Sequence, residues 1–216
     1  MIRIENAVKR YGRSTVLDGV SLRFEKGGIH GLIGRNGSGK TVLLKCIAGL
    51  CPLASGHIWV RGREVGCDVE IPPRMGAIIE TPGFLPGASG YANLKLLADI
   101  RGRIGKREIW AAMERVGLDP ALKKHVSAYS LGMRQRLGIA QAIMEKPKLL
   151  LLDEPMNGLD DEGVRDMRAL FAELRDGGAT MLLASHNPLD IQALCDSVQK
   201  MEHGRCVRLD AAQGDN

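Results

Sequence analysis

A glycine-rich run near the N-terminus constrains this chain more than any other segment. It lies between an apolar stretch at Ile29–Ile33 and a helix-like apolar stretch at Val42–Leu50, and it reads Gly34-Arg35-Asn36-Gly37-Ser38-Gly39-Lys40-Thr41. Small residues let consecutive backbone N–H groups point into one concavity, and the helix that follows adds the positive end of its dipole. The pattern predicts a phosphate-binding loop in which Lys40 reaches the β- and γ-phosphates and Thr41 ligates Mg²⁺.

The composition is typical of one domain with a substantial core. The chain has 216 residues, is 44% hydrophobic, and carries a formal charge of +5 from 30 basic and 25 acidic residues. The basic residues are scattered and aromatic residues make up 4%, so we predict no nucleic-acid partner. No signal peptide is recognised, and no run approaches the roughly 18 apolar residues that span a bilayer. The chain by itself is expected to be soluble.

The cysteine pattern indicates neither a disulfide framework nor a zinc site. The five cysteines form no C-x-x-C pair and no cluster with histidine at zinc-ligand spacing. We therefore expect reduced thiols. Cys46 falls within the helix after the glycine-rich run, where a small core hydrophobe is the expected role.

Apolar alternation predicts antiparallel strands in the first part of the chain. Ile2–Val8 and Val16–Phe24 alternate as half-buried strands do, and Gly56–Val60 begins another strand. The segment Ile71–Gly90 is rich in proline and glycine, so it is expected to be mostly loop around a short strand at Ala77–Ile79.

The second part of the chain predicts helices and a parallel sheet. From Tyr91 to about Glu145 apolar residues recur at helical spacing, which indicates an inserted helical unit. Leu149–Leu152 and Thr180–Ala184 are continuous apolar runs of strand length, and a helical face from Val164 to Leu174 lies between them. Two buried strands joined by a helix imply a parallel sheet.

Polar side chains follow each apolar run at the point where ligands bind in parallel sheets. Asp153 and Glu154 follow one run, and Ser185 and His186 follow another. We expect Asp153 to ligate Mg²⁺, Glu154 to polarise an attacking water, and His186 to orient that water and sense the γ-phosphate. The alternatives are a polar strand end that leads into a turn for the two acids and a hydrogen-bonded loop residue for His186.

Five segments in order resemble the nucleotide-binding domain of ABC transporters over essentially the whole chain. They are Tyr11 with Val16 nearby, which match the family's adenine-stacking region, Gly34–Thr41 (Walker A), Leu149–Glu154 (Walker B with its glutamate), Asn157–Asp160 (D-loop) and His186 (switch histidine). The resemblance implies ATP and Mg²⁺ as ligands. It also implies a P-loop NTPase with a RecA-like parallel sheet, an N-terminal antiparallel β subdomain and a helical subdomain at about 88–145, in one domain over 1–216. A half-buried aromatic at a strand end is the alternative for Tyr11.

The chain departs from the family pattern at three places. Tyr129-Ser130-Leu131-Gly132-Met133 stands where the family usually has Leu-Ser-Gly-Gly-Gln, and the resemblance implies that Ser130 and Gly132 contact the γ-phosphate held by the other protomer. Ser130 also fits a helix N-cap. Val42 replaces a threonine, which leaves a backbone N–H for the α-phosphate. Glu80 replaces the glutamine that links Mg²⁺ to the membrane partner, and a surface glutamate is the alternative.

Ile78–Pro86 and Asn93–Leu97 look like the bacitracin-resistance and lantibiotic-immunity branch of the family. That resemblance implies a cytoplasmic ATPase subunit, peripheral on the inner face of the cell membrane, that powers a separate permease exporting an antimicrobial peptide. It further implies a homodimer, or pairing with a similar ATPase subunit, around two ATP molecules. The alternatives are a soluble ATPase with an assembly or scaffold role and a phosphotransferase.

Overall fold

The computed structural model describes residues 1–209, which contain ten strands and six α-helices. In chain order these are β1 (Ile2–Tyr11), β2 (Ser14–Phe24), β3 (Gly28–Ile33), α1 (Lys40–Ile47), β4 (Ser55–Val60), β5 (Arg63–Glu64), β6 (Met75–Ile78), α2 (Gly90–Arg101), α3 (Lys106–Arg115), α4 (Leu131–Ile143), β7 (Leu149–Asp153), α5 (Asp161–Asp176), β8 (Thr180–Ala184), α6 (Pro188–Leu194), β9 (Ser197–Glu202) and β10 (Arg205–Leu209). Among these residues, no helix combines the length and apolar character needed to cross a bilayer.

The strands form two sheets. The N-terminal sheet is antiparallel with the order β2-β1-β4-β5, and the second sheet has the order β10-β9-β3-β8-β7-β6. All neighbours in the second sheet are parallel except β10 and β9. The predicted α/β fold, with a parallel core and an N-terminal antiparallel sheet, is confirmed.

The parallel sheet is buried on both faces because its central strands are apolar throughout. Every residue of β7 and β8 is buried. On β7, Leu150 and Leu152 pack with the helical segment and α5, whereas Leu149 and Leu151 pack with α1 and the antiparallel sheet. Two cores therefore meet at this sheet, one on each face.

The helices α2, α3 and α4 lie within the stretch predicted to be an inserted helical unit, and they pack on one side of the sheet. Serine side chains begin two of them: Ser89 Oγ accepts from Ala92 N–H, and Ser130 Oγ accepts from Met133 N–H at 3.1 Å. The N-cap alternative for Ser130 is therefore confirmed. Cys46 is buried in α1, as predicted.

Several element bounds differ from the sequence predictions, and the C-terminal elements were missed. The first helix begins at Lys40 rather than Val42, and the short strand is Met75–Ile78 rather than Ala77–Ile79. The C-terminal elements α6, β9 and β10 were not predicted. The pattern of β9 is weak because its buried positions include the polar Gln199, which is placed by pairing with β3 rather than by apolar alternation.

Gly76 on β6 provides a test of how closely the helical segment packs on the sheet. A Cβ at this position would lie 1.9 Å from the carbonyl oxygen of Ala142 in α4. We expect Gly76→Ala to lower the free energy of unfolding by about 1–3 kcal/mol, because the backbone of α4 must move. Chemical denaturation measures the change. Gly87→Ala is the control, since a Cβ there meets nothing within 4 Å, and an equal loss in both variants would contradict this account.

Candidate functional site

The carboxyl ends of three adjacent strands bring the predicted catalytic segments together. In the sheet β3 pairs with β8, and β8 pairs with β7. The glycine-rich loop follows β3, Glu154 follows β7, and Ser185 and His186 follow β8. The site therefore forms where an open parallel sheet binds its ligands.

The glycine-rich loop curves around the ammonium group of Lys40. Lys40 Nζ donates to the carbonyl oxygens of Gly34 (2.7 Å) and Arg35 (3.3 Å). Gly39 has a φ of 106°, and a Cβ there would lie 2.9 Å from the carbonyl oxygen of Val16, so glycine is required. The buried hydroxyl of Ser38 has no hydrogen-bond partner within residues 1–209. A loop with a buried cation and a free hydroxyl fits a phosphate group.

The Asp153 carboxylate is buried at the end of β7 and receives a hydrogen bond from α1. Thr41 Oγ1 donates to Asp153 Oδ2 at 2.7 Å. Burial raises the pKa of Asp153 above its usual value, which means that the ionised form lacks sufficient compensation in the protein alone. A cation beside Thr41 and Asp153 would provide that compensation.

The donor set at this position fits Mg²⁺. Within the described residues, no group of three or more His, Cys, Asp or Glu side chains is arranged to hold a metal by protein ligands alone. Mg²⁺ needs only one or two carboxylates when phosphates and water complete its shell. The hydroxyl of Thr41 and the carboxylate of Asp153 match this requirement.

Glu154 and His186 form a pair across the strand ends. His186 Nδ1 lies 2.9 Å from Glu154 Oε1, and the backbone N–H of Glu154 donates to the carbonyl oxygen of Ala184 at 2.8 Å. Glu154 has a φ of 49°, in the left-handed region that non-glycine residues rarely occupy. Strained backbone of this kind clusters at functional sites because the surrounding structure must hold it.

A cavity of about 610 Å³ lies over the glycine-rich loop. Of the residues predicted from the sequence, its lining contains Val16, Asn36, Gly37, Ser38, Gly39, Lys40, Thr41, Val42, Glu80, Asp153 and Glu154. Gly34, Arg35 and His186 are not among the lining residues. Gly34 and Arg35 contact Lys40 through their carbonyl groups, and His186 contacts Glu154.

The predicted adenine-stacking residue Tyr11 is not among the residues that line this cavity. The Tyr11 side chain is 50% exposed, and its hydroxyl lies 3.2 Å from Cys51 Sγ. Lys9 Nζ lies 4.9 Å from the centre of the Tyr11 ring. The ring is thus available to a ligand, while Val16 is the member of this region that contacts the cavity.

Ser130 and Gly132 line a second cavity of about 770 Å³. Gly158 and Asp160, from the segment that resembles the D-loop, line the same cavity. A Cβ at Gly132 would lie 2.9 Å from the carbonyl oxygen of Gly158, so a larger residue would push these two segments apart. Leu131, between Ser130 and Gly132, lines both cavities, whereas Ser130 and Gly132 line only the second.

Sequence reasoning missed two residues that connect the helical segment to the site. Arg134 and Gln135, near the start of α4, line the cavity over the glycine-rich loop. Gln135 Nε2 donates to the carbonyl oxygens of Pro155 (2.9 Å) and Glu154 (3.3 Å). The signal available in the sequence was their position directly after the Ser130 segment.

The sequence was compared with protein families and with curated proteins. The profile of a family described as "ABC transporter" matches residues 17–157. An uncharacterised ABC transporter ATP-binding protein of Bacillus subtilis, YybJ, is 43% identical over 95% of this chain and 94% of its own length. The bacitracin transport ATP-binding protein BcrA of Enterococcus faecalis is 41% identical over 96% of this chain and 68% of its own. The lantibiotic transport ATP-binding protein SrtF of Streptococcus pyogenes is 36% identical, with coverages of 96% and 89%.

Solved structures share the fold. The dimeric structure of MJ0796, described as a bacterial ABC transporter cassette, superposes with a TM-score of 0.86 at 19% identity and covers 98% of this chain and 100% of that chain. A structure described as the ATP-binding subunit of an ABC transporter gives a TM-score of 0.84 at 26% identity, with coverages of 97% and 90%.

Proposed function

The chain belongs to the ABC transporter family as an ATP-binding subunit, and we propose that its ATPase activity powers a separate integral-membrane permease. The observation that carries the assignment of the chemistry is the Glu154 carboxylate, which is held by His186 at 2.9 Å beside the cavity over the glycine-rich loop. A polarising base at the strand end next to a triphosphate site fits phosphoryl transfer to water.

Binding of ATP is proposed to use the loop after β3 and the start of α1. Lys40 Nζ exchanges the carbonyl groups of Gly34 and Arg35 for β- and γ-phosphate oxygens, while the backbone N–H groups from Asn36 to Val42 surround the phosphates. Tyr11 and Val16 contact the adenine. These contacts hold the γ-phosphate at the end of the cavity that Asp153 and Glu154 line.

Thr41 and Asp153 are proposed to hold Mg²⁺, and Glu80 lies next to them. When bound, the ion would neutralise the negative charge that develops on the phosphates. Asp153 remains ionised there, and its 2.7 Å hydrogen bond from Thr41 Oγ1 fixes the orientation of its carboxylate.

Hydrolysis is proposed to begin when Glu154 accepts a proton from a water aligned with the γ-phosphate. His186 keeps the Glu154 carboxylate directed at that water through the 2.9 Å contact. Gln135 holds the backbone of the same loop from α4, so movement of the helical segment would change the position of the base. The products are ADP and inorganic phosphate.

Two copies of the chain, or this chain and a similar subunit, are proposed to enclose two ATP molecules. Ser130 and Gly132 line the second cavity and not the one over the Lys40 loop of the same chain, which supports their contact with a γ-phosphate held by a partner. MJ0796 has a dimeric structure with the same fold. ATP then stabilises the closed pair because it contacts both protomers only in that state.

The proposed cargo is an antimicrobial peptide, exported by the permease. Two relatives that match almost the whole chain are named for bacitracin transport and lantibiotic transport. The proposed location follows from this role: the chain is cytoplasmic and binds peripherally at the inner face of the membrane. The whole chain is proposed to act as one ATPase domain, with the helices at about 88–145 as its inserted subdomain.

The contact between His186 and Glu154 makes a testable contribution to turnover. We expect His186→Ala to lower kcat by roughly 10- to 100-fold, because the Glu154 carboxylate loses the partner that orients it. The affinity for ATP is expected to change little, since Lys40 and the loop amides are intact. Steady-state phosphate release and equilibrium binding of a fluorescent ATP analogue separate the two quantities. A fall in affinity without a fall in kcat would instead assign His186 to binding.

Two measurements on the wild-type chain test the proposed function. Purified protein is expected to release inorganic phosphate from ATP without any added acceptor, whereas a phosphotransferase would require one. The tagged chain is expected to copurify with an integral-membrane protein from detergent-solubilised native membranes. Phosphate release without a membrane partner would favour an assembly or scaffold ATPase.

A further inference from the structure

An ion pair between α1 and the loop after β6 lies at the edge of the proposed nucleotide site. Lys45 follows Thr41 by one helical turn, and its Nζ is 2.7 Å from Glu80 Oε1. Glu80 has a φ of 60° and is among the residues that line the cavity over the glycine-rich loop. The residue therefore borders the site while its side chain contacts α1.

The negatively charged residues around this ion pair make the ammonium group of Lys45 important for the binding of a triphosphate. Glu80, Asp153 and Glu154 are all among the residues that line the cavity in which a triphosphate is proposed to bind. An uncompensated carboxylate there repels a polyanion. The Lys45 side chain is only 28% exposed, compared with 62% for Glu80, so solvent and salt screen this pair less than they screen a fully exposed one.

We propose that Lys45 is a positioning residue of the nucleotide site, which neutralises the Glu80 carboxylate and holds it against α1. A glutamate at position 80 is then compatible with the binding of a nucleoside triphosphate. Without the ammonium group, the Glu80 carboxylate is free to turn toward the cavity and oppose the phosphates. This inference rests on the proposed ATPase function and deepens it.

A double-mutant cycle tests the proposal through affinity rather than turnover. The affinity for a fluorescent ATP analogue is measured at low salt, once with EDTA and once with Mg²⁺. We expect Lys45→Met, which keeps the length of the side chain, to weaken binding roughly threefold to tenfold, and we expect added salt to reduce this effect. In the E80Q background the same change should alter affinity less than about twofold, because no carboxylate remains to be compensated.

The controls separate charge from packing. Lys45→Arg is expected to restore binding, and Lys95→Met removes an ammonium that pairs with Asp99 on exposed α2, so it should leave affinity unchanged. Thermal unfolding without nucleotide verifies that each variant is folded. An equal loss from K45M in both backgrounds, or no loss in either, overturns the proposal while the ATPase function stands. If the wild-type chain binds no analogue, the proposed function itself fails and this inference fails with it.

Discussion

Glu154→Gln is expected to lower ATP turnover by roughly 10²- to 10⁴-fold, the contribution that a positioned general base makes. The amide keeps the shape of the side chain but accepts no proton from water. The variant should still bind ATP, because Lys40 and the loop amides are unchanged. It should also accumulate as an ATP-bound dimer, since the closed state is no longer relieved by hydrolysis. Single-turnover phosphate release and size-exclusion chromatography with ATP measure the two effects.

The control for this variant is Glu114→Gln, which makes the same chemical change on an exposed position of α3. Its turnover should match that of the wild-type chain. Undiminished hydrolysis by Glu154→Gln would remove Glu154 as the base. Loss of ATP binding in that variant would show that the strained loop after β7 had collapsed, and the kinetic result would then carry no information on the base.

Lys40→Ala is expected to weaken ATP binding by roughly 100-fold, because hydrogen bonds from a charged donor to phosphate each contribute about 1.5–3 kcal/mol. At an ATP concentration 100 times its Kd, the wild-type chain gains about 2.7 kcal/mol of stability. At the same concentration the variant should gain about 0.4 kcal/mol. The measured quantity is the ATP-induced increase in the free energy of unfolding.

The ATP-induced increase in stability is compared, and not the stability itself, because Lys40 also supports the loop without ATP through its hydrogen bonds to Gly34 and Arg35. The variant is therefore expected to be less stable before any nucleotide is added. Lys124→Ala, at an exposed position, provides a control in which the ATP-induced increment is unchanged. An increment of wild-type size in Lys40→Ala would exclude the glycine-rich loop as the phosphate site.

Local patterns in the sequence predicted most of the fold, because each element near the site is strongly apolar or strongly periodic. The strands β7 and β8 could be predicted without tertiary information, because a continuously apolar strand is buried on both faces of a sheet. The elements after His186 were not predicted from the sequence. The strand β9 is placed by pairing with β3, which precedes it by more than 160 residues, and its own pattern includes the buried polar Gln199.

The residues around the phosphate loop were predicted by type, but their contacts were not. The family resemblance assigned Glu80 to the metal region, and the structure adds that its side chain pairs with Lys45 of α1. Similarly, nothing in the local sequence indicated that Gln135 of α4 binds the carbonyl groups beside the base. These contacts join segments far apart in the chain, so their geometry depends on how the helical segment packs on the sheet.

The amino-acid sequence by itself determined which chemical groups are present: a glycine-rich loop predicted to bind phosphate, two acids and a histidine at strand ends, and the order of these segments along the chain. Those features depend on residue type and local backbone conformation, which short-range forces control. Only the tertiary structure decided which of these groups touch. The contact of Glu154 with His186 follows from the pairing of β7 with β8, and the contact of Glu80 with Lys45 joins the loop after β6 to α1. Both depend on how distant segments pack together, which no local pattern specifies.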